Sequence, residues 1–182
     1  MIELELRNVG QEELNKILEL HKLWLDTEGK EGKRADLTDV NLTGVDLRGI
    51  DLRGADLTGA NLTDANLRGA NLVCIDLTSA DLTGVNLADA DLTGSDLRCS
   101  DLTGANLTGV NLRDVDLRCS DLTNVDLRDA NLTDTDLAYA DLTGSDLIGV
   151  DLRDVNLTGV NLKDANLRWI DLRGIDLRGV IF

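Results

Sequence analysis

Proline is missing from the 182 residues, and aromatic side chains make up only 2% of them, with one Phe, one Tyr and two Trp. Ordinary globular cores rely on aromatic side chains for much of their buried volume, so this interior must be built from aliphatic residues. Positive charge is also scarce, because 18 Lys and Arg face 34 Asp and Glu for a formal net charge of −16. That charge argues against direct nucleic-acid binding, since phosphates would be repelled.

Cysteine and histidine are rare, with Cys74, Cys99, Cys119 and a single His21. No two cysteines form a CxxC pair, so neither a disulfide framework nor a zinc knuckle is indicated. Nothing in the sequence supplies His21 with the partners of a nucleophilic triad, and we predict no catalytic residue, no cofactor and no metal ion. Without a signal peptide or a long apolar run, the chain is expected to be cytoplasmic and free of membrane contact.

A five-residue repeat occupies most of the chain. Leucine stands at every fifth position from Leu37 to Leu177, twenty-nine times in succession, and Phe182 takes the next place. The residue before each leucine is Asp or Asn, and the one before that is small or β-branched, with Ser or Thr in five repeats. Gly fills the second position after leucine in fourteen repeats and Asp in eight. The unit therefore reads A/V-D/N-L-T/R-G over residues 35–182.

This period of five dictates the path of the backbone. It matches neither the period of a helix nor that of a strand, so no straight element keeps every leucine on one side. A turn in each repeat solves the problem, because leucine and the small residue then point inward while the other three face solvent. Gly or Asp as the third residue of each turn suits type II, which needs a positive φ there. Four sides make a coil of twenty residues, and about seven to eight coils stacked at the strand spacing make a rod of roughly 36 Å.

The A(D/N)LXX unit resembles the repeat of the pentapeptide-repeat family. The resemblance covers residues 35–182 and implies an all-β solenoid, a right-handed quadrilateral β-helix. It further implies a non-enzymatic scaffold or protein-interaction module that binds an unidentified protein. An alternative is implied by the quinolone-resistance members, which mimic DNA. On that alternative, the chain binds a type II topoisomerase or another DNA-binding protein.

Residues 1–34 lack the repeat and predict an N-terminal capping segment. Residues 1–7 alternate apolar and charged side chains, as a short half-buried strand would. Residues 11–25 predict an amphipathic α-helix, and we expect it to cover the open leucine end of the first coil, as in many family members. Its apolar face comprises Leu14, Ile17, Leu18, His21, Trp24 and Leu25.

Residues twenty apart should form columns along the rod, because consecutive coils lie one strand spacing apart. One such column is acidic and comprises Asp36, Asp56, Asp76, Asp96, Asp116 and Asp136. Residues 35–182 hold twenty-six acids and twelve bases, a net charge of −14. B-DNA of the same length would carry about twenty-one phosphates, a comparable charge density. Since every repeat takes Asp or Asn before its leucine, this acidity also follows from the fold.

Apolar side chains near the end of the array mark a candidate interface formed by Ile148, Trp169, Ile181 and Phe182. Ile148 and Trp169 fall at outward positions of adjacent coils, whereas Phe182 falls on the axis. The final coil then either closes on itself or packs against a second copy, giving a homodimer through the C-terminal end. Cys99 and Cys119 share one corner of adjacent coils, and we interpret them as free thiols, although this spacing also permits oxidation or a bridging soft metal.

Overall fold

The computed structural model describes residues 6–182. Within them, α1 spans Gln11–Asp26, close to the helix predicted from the sequence. It begins after Gly10, which is extended, and its first turn carries Glu12 and Glu13. Negative side chains at this position are favourable, because the unpaired N–H groups of a helix N-terminus carry partial positive charge.

The rest of the chain is a stack of coils joined by parallel bridges. Each bridge pairs residues twenty apart, beginning with Asp36 and Asp56. The N–H of Leu37 donates to Asp56 O at 2.8 Å, and the N–H of Asp56 donates back to Ala35 O at 3.1 Å. The same pair of hydrogen bonds recurs on each side of the coil through most of the array. One coil therefore contains twenty residues, as the repeat predicted.

A turn closes each repeat. In the first, the N–H of Val40 donates to Leu37 O at 3.1 Å, and Asp39 has a φ of +54°. The third residue of every turn in the array has a positive φ while the second does not, which is the type II pattern. Gly and Asp dominate this position because both tolerate left-handed backbone conformations better than other residues do.

The Asp or Asn before each leucine has a local structural role. Its Oδ1 accepts a hydrogen bond from the backbone N–H two residues later, for example from Thr103 to Asp101 at 2.9 Å and from Thr63 to Asn61 at 2.9 Å. Both residue types offer this oxygen, so the fold requires the side-chain carbonyl and not the charge. The choice of Asp over Asn is therefore free to serve another purpose.

Leucines fill the axis of the rod. Those from Leu37 to Leu162 are at most 5% exposed, and each contributes roughly 1.5–3 kcal/mol by burial. The polar residues among the small inward positions are buried as well, and each hydroxyl donates to a leucine carbonyl, as from Ser95 to Leu72 at 2.8 Å. These buried hydroxyl residues are Ser95, Ser100, Ser120, Thr135 and Ser145.

At the N-terminal end, α1 packs on the first coil through Leu14 and His21, both buried. The N–H of Arg7 donates to Asp39 O at 2.7 Å, and Arg7 forms a parallel bridge with Val40. The predicted strand at residues 1–7 otherwise lies outside the described residues.

Toward the C-terminal end the coils separate on the side that carries Asp151, and on the next side between Asn156 and Asp176. Among residues 6–182, no bridge joins Asn131 to Asp151 or Asp151 to Asp171. At the corner that follows this side, Asp114, Asp134 and Asp154 succeed one another in three adjacent coils. Elsewhere a corner Asp is followed one coil later by Gly. Like charges facing each other across neighbouring strands are destabilising, so we expect Asp134 and Asp154 to repel each other across this unbridged pair of coils.

The leucine side chains are no longer fully buried in the last coil. Leu167, Leu172 and Leu177 are only half-buried, and Phe182 is 62% exposed. Phe182 takes the next leucine position, and it is largely exposed at this end of the array.

Candidate interaction surfaces

The acidic column predicted from the sequence, Asp36 to Asp136, runs along one side of the rod. Its members are joined by consecutive parallel bridges, from Asp36–Asp56 to Asp116–Asp136. The carboxylates therefore repeat at about 4.8 Å, the distance between hydrogen-bonded strands.

Two arginines neutralise part of the acidic column. Arg98 Nε donates to Asp96 Oδ1 at 2.8 Å and lies 3.7 Å from Asp116 Oδ2. Arg118 repeats the arrangement one coil later, 2.8 Å from Asp116 Oδ1 and 3.8 Å from Asp136 Oδ2. Hydrogen bonds from these arginine side chains hold the pKa of Asp96 and of Asp116 below the ordinary value. The second half of the column therefore presents ion pairs to a partner.

The neighbouring side, which we name the threonine face, carries unpaired acids. In the described part of the chain, none of its aspartates forms a salt bridge. The sequence analysis did not identify these unpaired aspartates. The residue after each leucine indicates them, because it is Thr on this face and often Arg on the other sides. The face consists of Thr43, Thr63, Thr83, Thr103, Thr123 and Thr143, with Asn41, Asn61, Asp81, Asp101, Asp121 and Asp141.

The four predicted interface residues lie on two different sides of the rod. Ile148 is half-buried and Trp169 is 86% exposed, and the N–H of Gly149 donates to Arg168 O at 3.0 Å between their coils. Ile181, 55% exposed, instead bridges to Asn161 on the threonine-face side. The structure thus brings Ile148 and Trp169 together but leaves Ile181 and Phe182 apart from them.

Tyr139 is a further exposed aromatic residue that the sequence reasoning did not single out as an interface. Its side chain is 66% exposed, and its ring lies over the corner of the next coil. A Cβ added to Gly159 would stand 2.7 Å from the ring atom Cδ1 of Tyr139. Glycine at that corner leaves room for the ring.

A surface depression runs between α1 and the first coil. Leu18, Leu25 and Ile50 form its apolar floor, while Lys22 and Asp51 stand at its edge. Within residues 6–182, no three His, Cys, Asp or Glu side chains are grouped to hold a metal ion. No helix in that range is both long and apolar enough to cross a bilayer.

The coil, its turns and its filled axis define a β-solenoid of five-residue repeats. The pentapeptide-repeat family model matches the chain with eight copies, and the chain belongs to the pentapeptide-repeat family. The family predicted from the sequence is thereby confirmed, and its members are known as right-handed quadrilateral β-helices. The matched stretches are residues 35–72, 60–98, 75–114, 95–134, 116–154 and 140–179.

Solved structures of this family are similar to the chain. HetL, a pentapeptide-repeat protein involved in heterocyst differentiation regulation in the cyanobacterium Nostoc, is 31% identical with a TM-score of 0.37, over 82% of this chain and 75% of HetL. Full-length QnrB1, a plasmid-mediated fluoroquinolone resistance protein, is 23% identical with a TM-score of 0.45, over 78% of this chain and 82% of QnrB1. Rfr23 from the cyanobacterium Cyanothece is 23% identical with a TM-score of 0.31, over 89% and 97% of the two chains. Comparison with curated proteins gives no significant match.

Proposed function

We propose that this chain is a non-enzymatic scaffold that binds another protein through the outer faces of its coils. The observation that carries the proposal is the filled axis: the leucines from Leu37 to Leu162 are at most 5% exposed, leaving the polar chemistry on flat outer faces. Small-molecule sites are usually concave, mostly apolar pockets with convergent polar groups. On the outer faces of this array, equivalent side chains instead recur once per coil along a rod of about seven and a half coils.

In this proposal α1 caps the first coil. The buried side chains of Leu14 and His21, with the half-buried Ile17 and Leu18, cover apolar surface at that end of the array. An uncovered terminal repeat is a solubility liability in stacked-repeat proteins, which supports this role.

The apolar pair Ile148 and Trp169 is our candidate for the partner contact. Exposed aromatic residues often anchor protein interfaces, and truncating such an anchor commonly costs more than 1 kcal/mol of binding energy. Affinity capture with the purified chain tests this, because Trp169→Ala and Ile148→Asp should each abolish capture of the partner. Tyr139→Ala is the matched control, since it removes another exposed aromatic side chain from a different side of the rod. Capture that persists in both interface variants would remove this pair from the proposal.

Self-association at the C-terminal end is a further part of the proposal. Residues 163–182 carry four basic and three acidic side chains, whereas the preceding coils are strongly acidic. Two copies therefore approach through this end with the least charge repulsion. Phe182 and Ile181 are exposed there. Sedimentation analysis should give a dimer for the unmodified chain and a monomer for Phe182→Asp, and a monomer in both would rule out this contact.

DNA mimicry is the second candidate, favoured by the unpaired aspartates of the threonine face. Asp81, Asp101, Asp121 and Asp141 occupy four consecutive coils at about 4.8 Å spacing. Since Asn would serve the turn equally well, these charges are not required by the fold. A row of carboxylates at this density suits a basic groove that normally holds a DNA backbone.

A supercoiling assay with purified DNA gyrase tests this second candidate. The chain should inhibit or modulate supercoiling at micromolar concentration. The double variant Asp101→Asn/Asp121→Asn keeps the turn hydrogen bonds and should weaken the effect. Asp96→Asn/Asp116→Asn is the control, because Arg98 and Arg118 already neutralise those carboxylates. No effect of the unmodified chain would count against mimicry of the DNA that gyrase binds.

A further inference from the structure

Cys99 and Cys119 stand at the same corner of two adjacent coils. Both are exposed, and both have the left-handed backbone of a turn's third residue, with φ of +57° and +60°. The N–H of Cys99 donates to Arg118 O at 3.1 Å, so the two coils are in hydrogen-bonded register at this corner. The two cysteines are therefore repeats of one conformation, displaced by one coil.

Several corner side chains lean toward the next coil, and Cys74 is one of them. Cys74 Sγ lies 3.5 Å from the point where a Cβ would stand on Gly94, its neighbour one coil later. Asp89 Oδ1 lies 3.0 Å from the equivalent point on Gly109. The same direction at Cys99 would place its sulfur toward Cys119. If the two cysteines share one side-chain rotamer as they share one backbone conformation, their sulfurs are one coil step apart, about 4.8 Å.

This separation suits a metal bridge better than a disulfide. A disulfide brings the two Cβ atoms to about 3.5–4.5 Å, so the coils would have to close up. Taking the zinc–thiolate length of about 2.3 Å as the scale of a metal–thiolate bond, two such bonds end to end span about 4.6 Å, close to the coil step. Zinc in structural sites takes four ligands, and the described residues offer no third ligand grouped with this pair. Thiolates select Cu(I), a soft ion that accepts two-coordinate binding.

We propose that Cys99 and Cys119 form a two-thiolate site for a soft monovalent metal ion of the Cu(I) class. Binding releases both thiol protons to solvent, so affinity falls as the pH is lowered. The resulting complex of two thiolates and one monovalent ion carries a net negative charge. Arg98 and Arg118 directly precede the two cysteines, and both guanidinium groups pair with aspartates of the acidic column.

Competition for Cu(I) against the chelator bathocuproine disulfonate, under anaerobic conditions with reduced protein, tests the proposal. The unmodified chain should withdraw one Cu(I) per molecule. Cys99→Ser and Cys119→Ser should each weaken binding at least tenfold, because one thiolate alone cannot complete the bridge. Ser79 occupies the same corner one coil earlier, so serine is compatible with this turn and both variants should fold.

Cys74→Ser is the matched control, since Cys74 is an exposed corner cysteine with no cysteine in the adjacent coils. It should bind Cu(I) as tightly as the unmodified chain does. Equal loss in all three variants, or retained binding in Cys99→Ser, would overturn the site. Thermal melts of the metal-free variants, expected to match the unmodified chain, separate loss of a ligand from loss of the fold.

Discussion

His21 Nδ1 accepts a hydrogen bond from the backbone N–H of Ala35 at 3.1 Å, joining α1 to the start of the first coil. The imidazole is buried and stacks on Trp24, with ring centroids 5.6 Å apart. Because Nδ1 is the acceptor, this contact requires the neutral ring. The Nε2 atom is buried and has no hydrogen-bond partner among residues 6–182. A proton added to Nδ1 would remove the acceptor and bury a charge.

The His21 contact predicts that the chain loses stability below neutral pH. Burial lowers the pKa of His21 from its ordinary value of 6.5. The charge of Asp51 raises this pKa, whereas the charges of Arg34 and Arg53 lower it further. Since the folded pKa is depressed, its stabilisation is fully present above pH 6.5 and is lost as pH falls through the folded pKa. The urea midpoint of unfolding should therefore decrease as the pH is lowered from 8 to 5. His21→Gln should flatten this slope, and an equal slope in that variant would contradict the assignment.

Gly32 predicts a second sensitivity, in the segment between α1 and the first coil. Its φ is +74°, and a Cβ there would stand 2.3 Å from Leu20 O and 2.6 Å from Trp24 N. These are backbone atoms, so Gly32→Ala should reduce stability by more than 2 kcal/mol, above the cost of left-handed strain alone. Gly44→Ala is the control, because its φ is +66° and a Cβ there would have no atom of the described residues within 4 Å. Equal thermal shifts in the two variants would show that the contact is unimportant.

Asp101 tests whether the residue before leucine acts through its carbonyl or its charge. Its Oδ1 accepts the Thr103 N–H at 2.9 Å. Asp101→Asn keeps that acceptor and should leave the urea midpoint nearly unchanged, whereas Asp101→Ala should cost about 0.5–1.5 kcal/mol. If the Asn variant were as unstable as the Ala variant, charge and not the turn would be the requirement.

Asp134 should be a position where removing charge stabilises the chain. It stands between Asp114 and Asp154 in the acidic corner, where the coils separate. Asp134→Asn keeps a residue that tolerates positive φ and removes the repulsion, so we expect a gain of a few tenths of a kcal/mol. Asp129→Asn, whose neighbour one coil later is Gly149, should change little. A loss of thermal stability in Asp134→Asn would contradict this explanation of the gap.

The repeat made the coil predictable. A period of five with Leu at its centre and Gly or Asp two residues later left one way to keep each leucine inside. The helix was equally predictable from the sequence. The apolar residues from Leu14 to Leu25 have helical spacing, and they lie in α1 in the structure.

Other features depend on contacts between coils, which a single repeat does not reveal. Arg98 pairs with both Asp96 and Asp116. Predicting that pairing requires the distance that an arginine side chain spans between two coils. The gap beside Asp134 lies among three coils whose corner residue is Asp, and no single one of these repeats indicates it. Phe182 occupies a leucine position of the repeat but is exposed. The leucines of the last coil are likewise only half-buried.

Distances between nitroxide labels test the twenty-residue coil most directly, because every column and face named above depends on it. In a chain with the three native cysteines changed to Ser, labels at Thr43 and Thr123 span four coils, and labels at Thr43 and Thr143 span five. The coil predicts separations of about 19 and 24 Å, an increment of about 4.8 Å for twenty residues. Equal separations, or an increment twice as large, would contradict it.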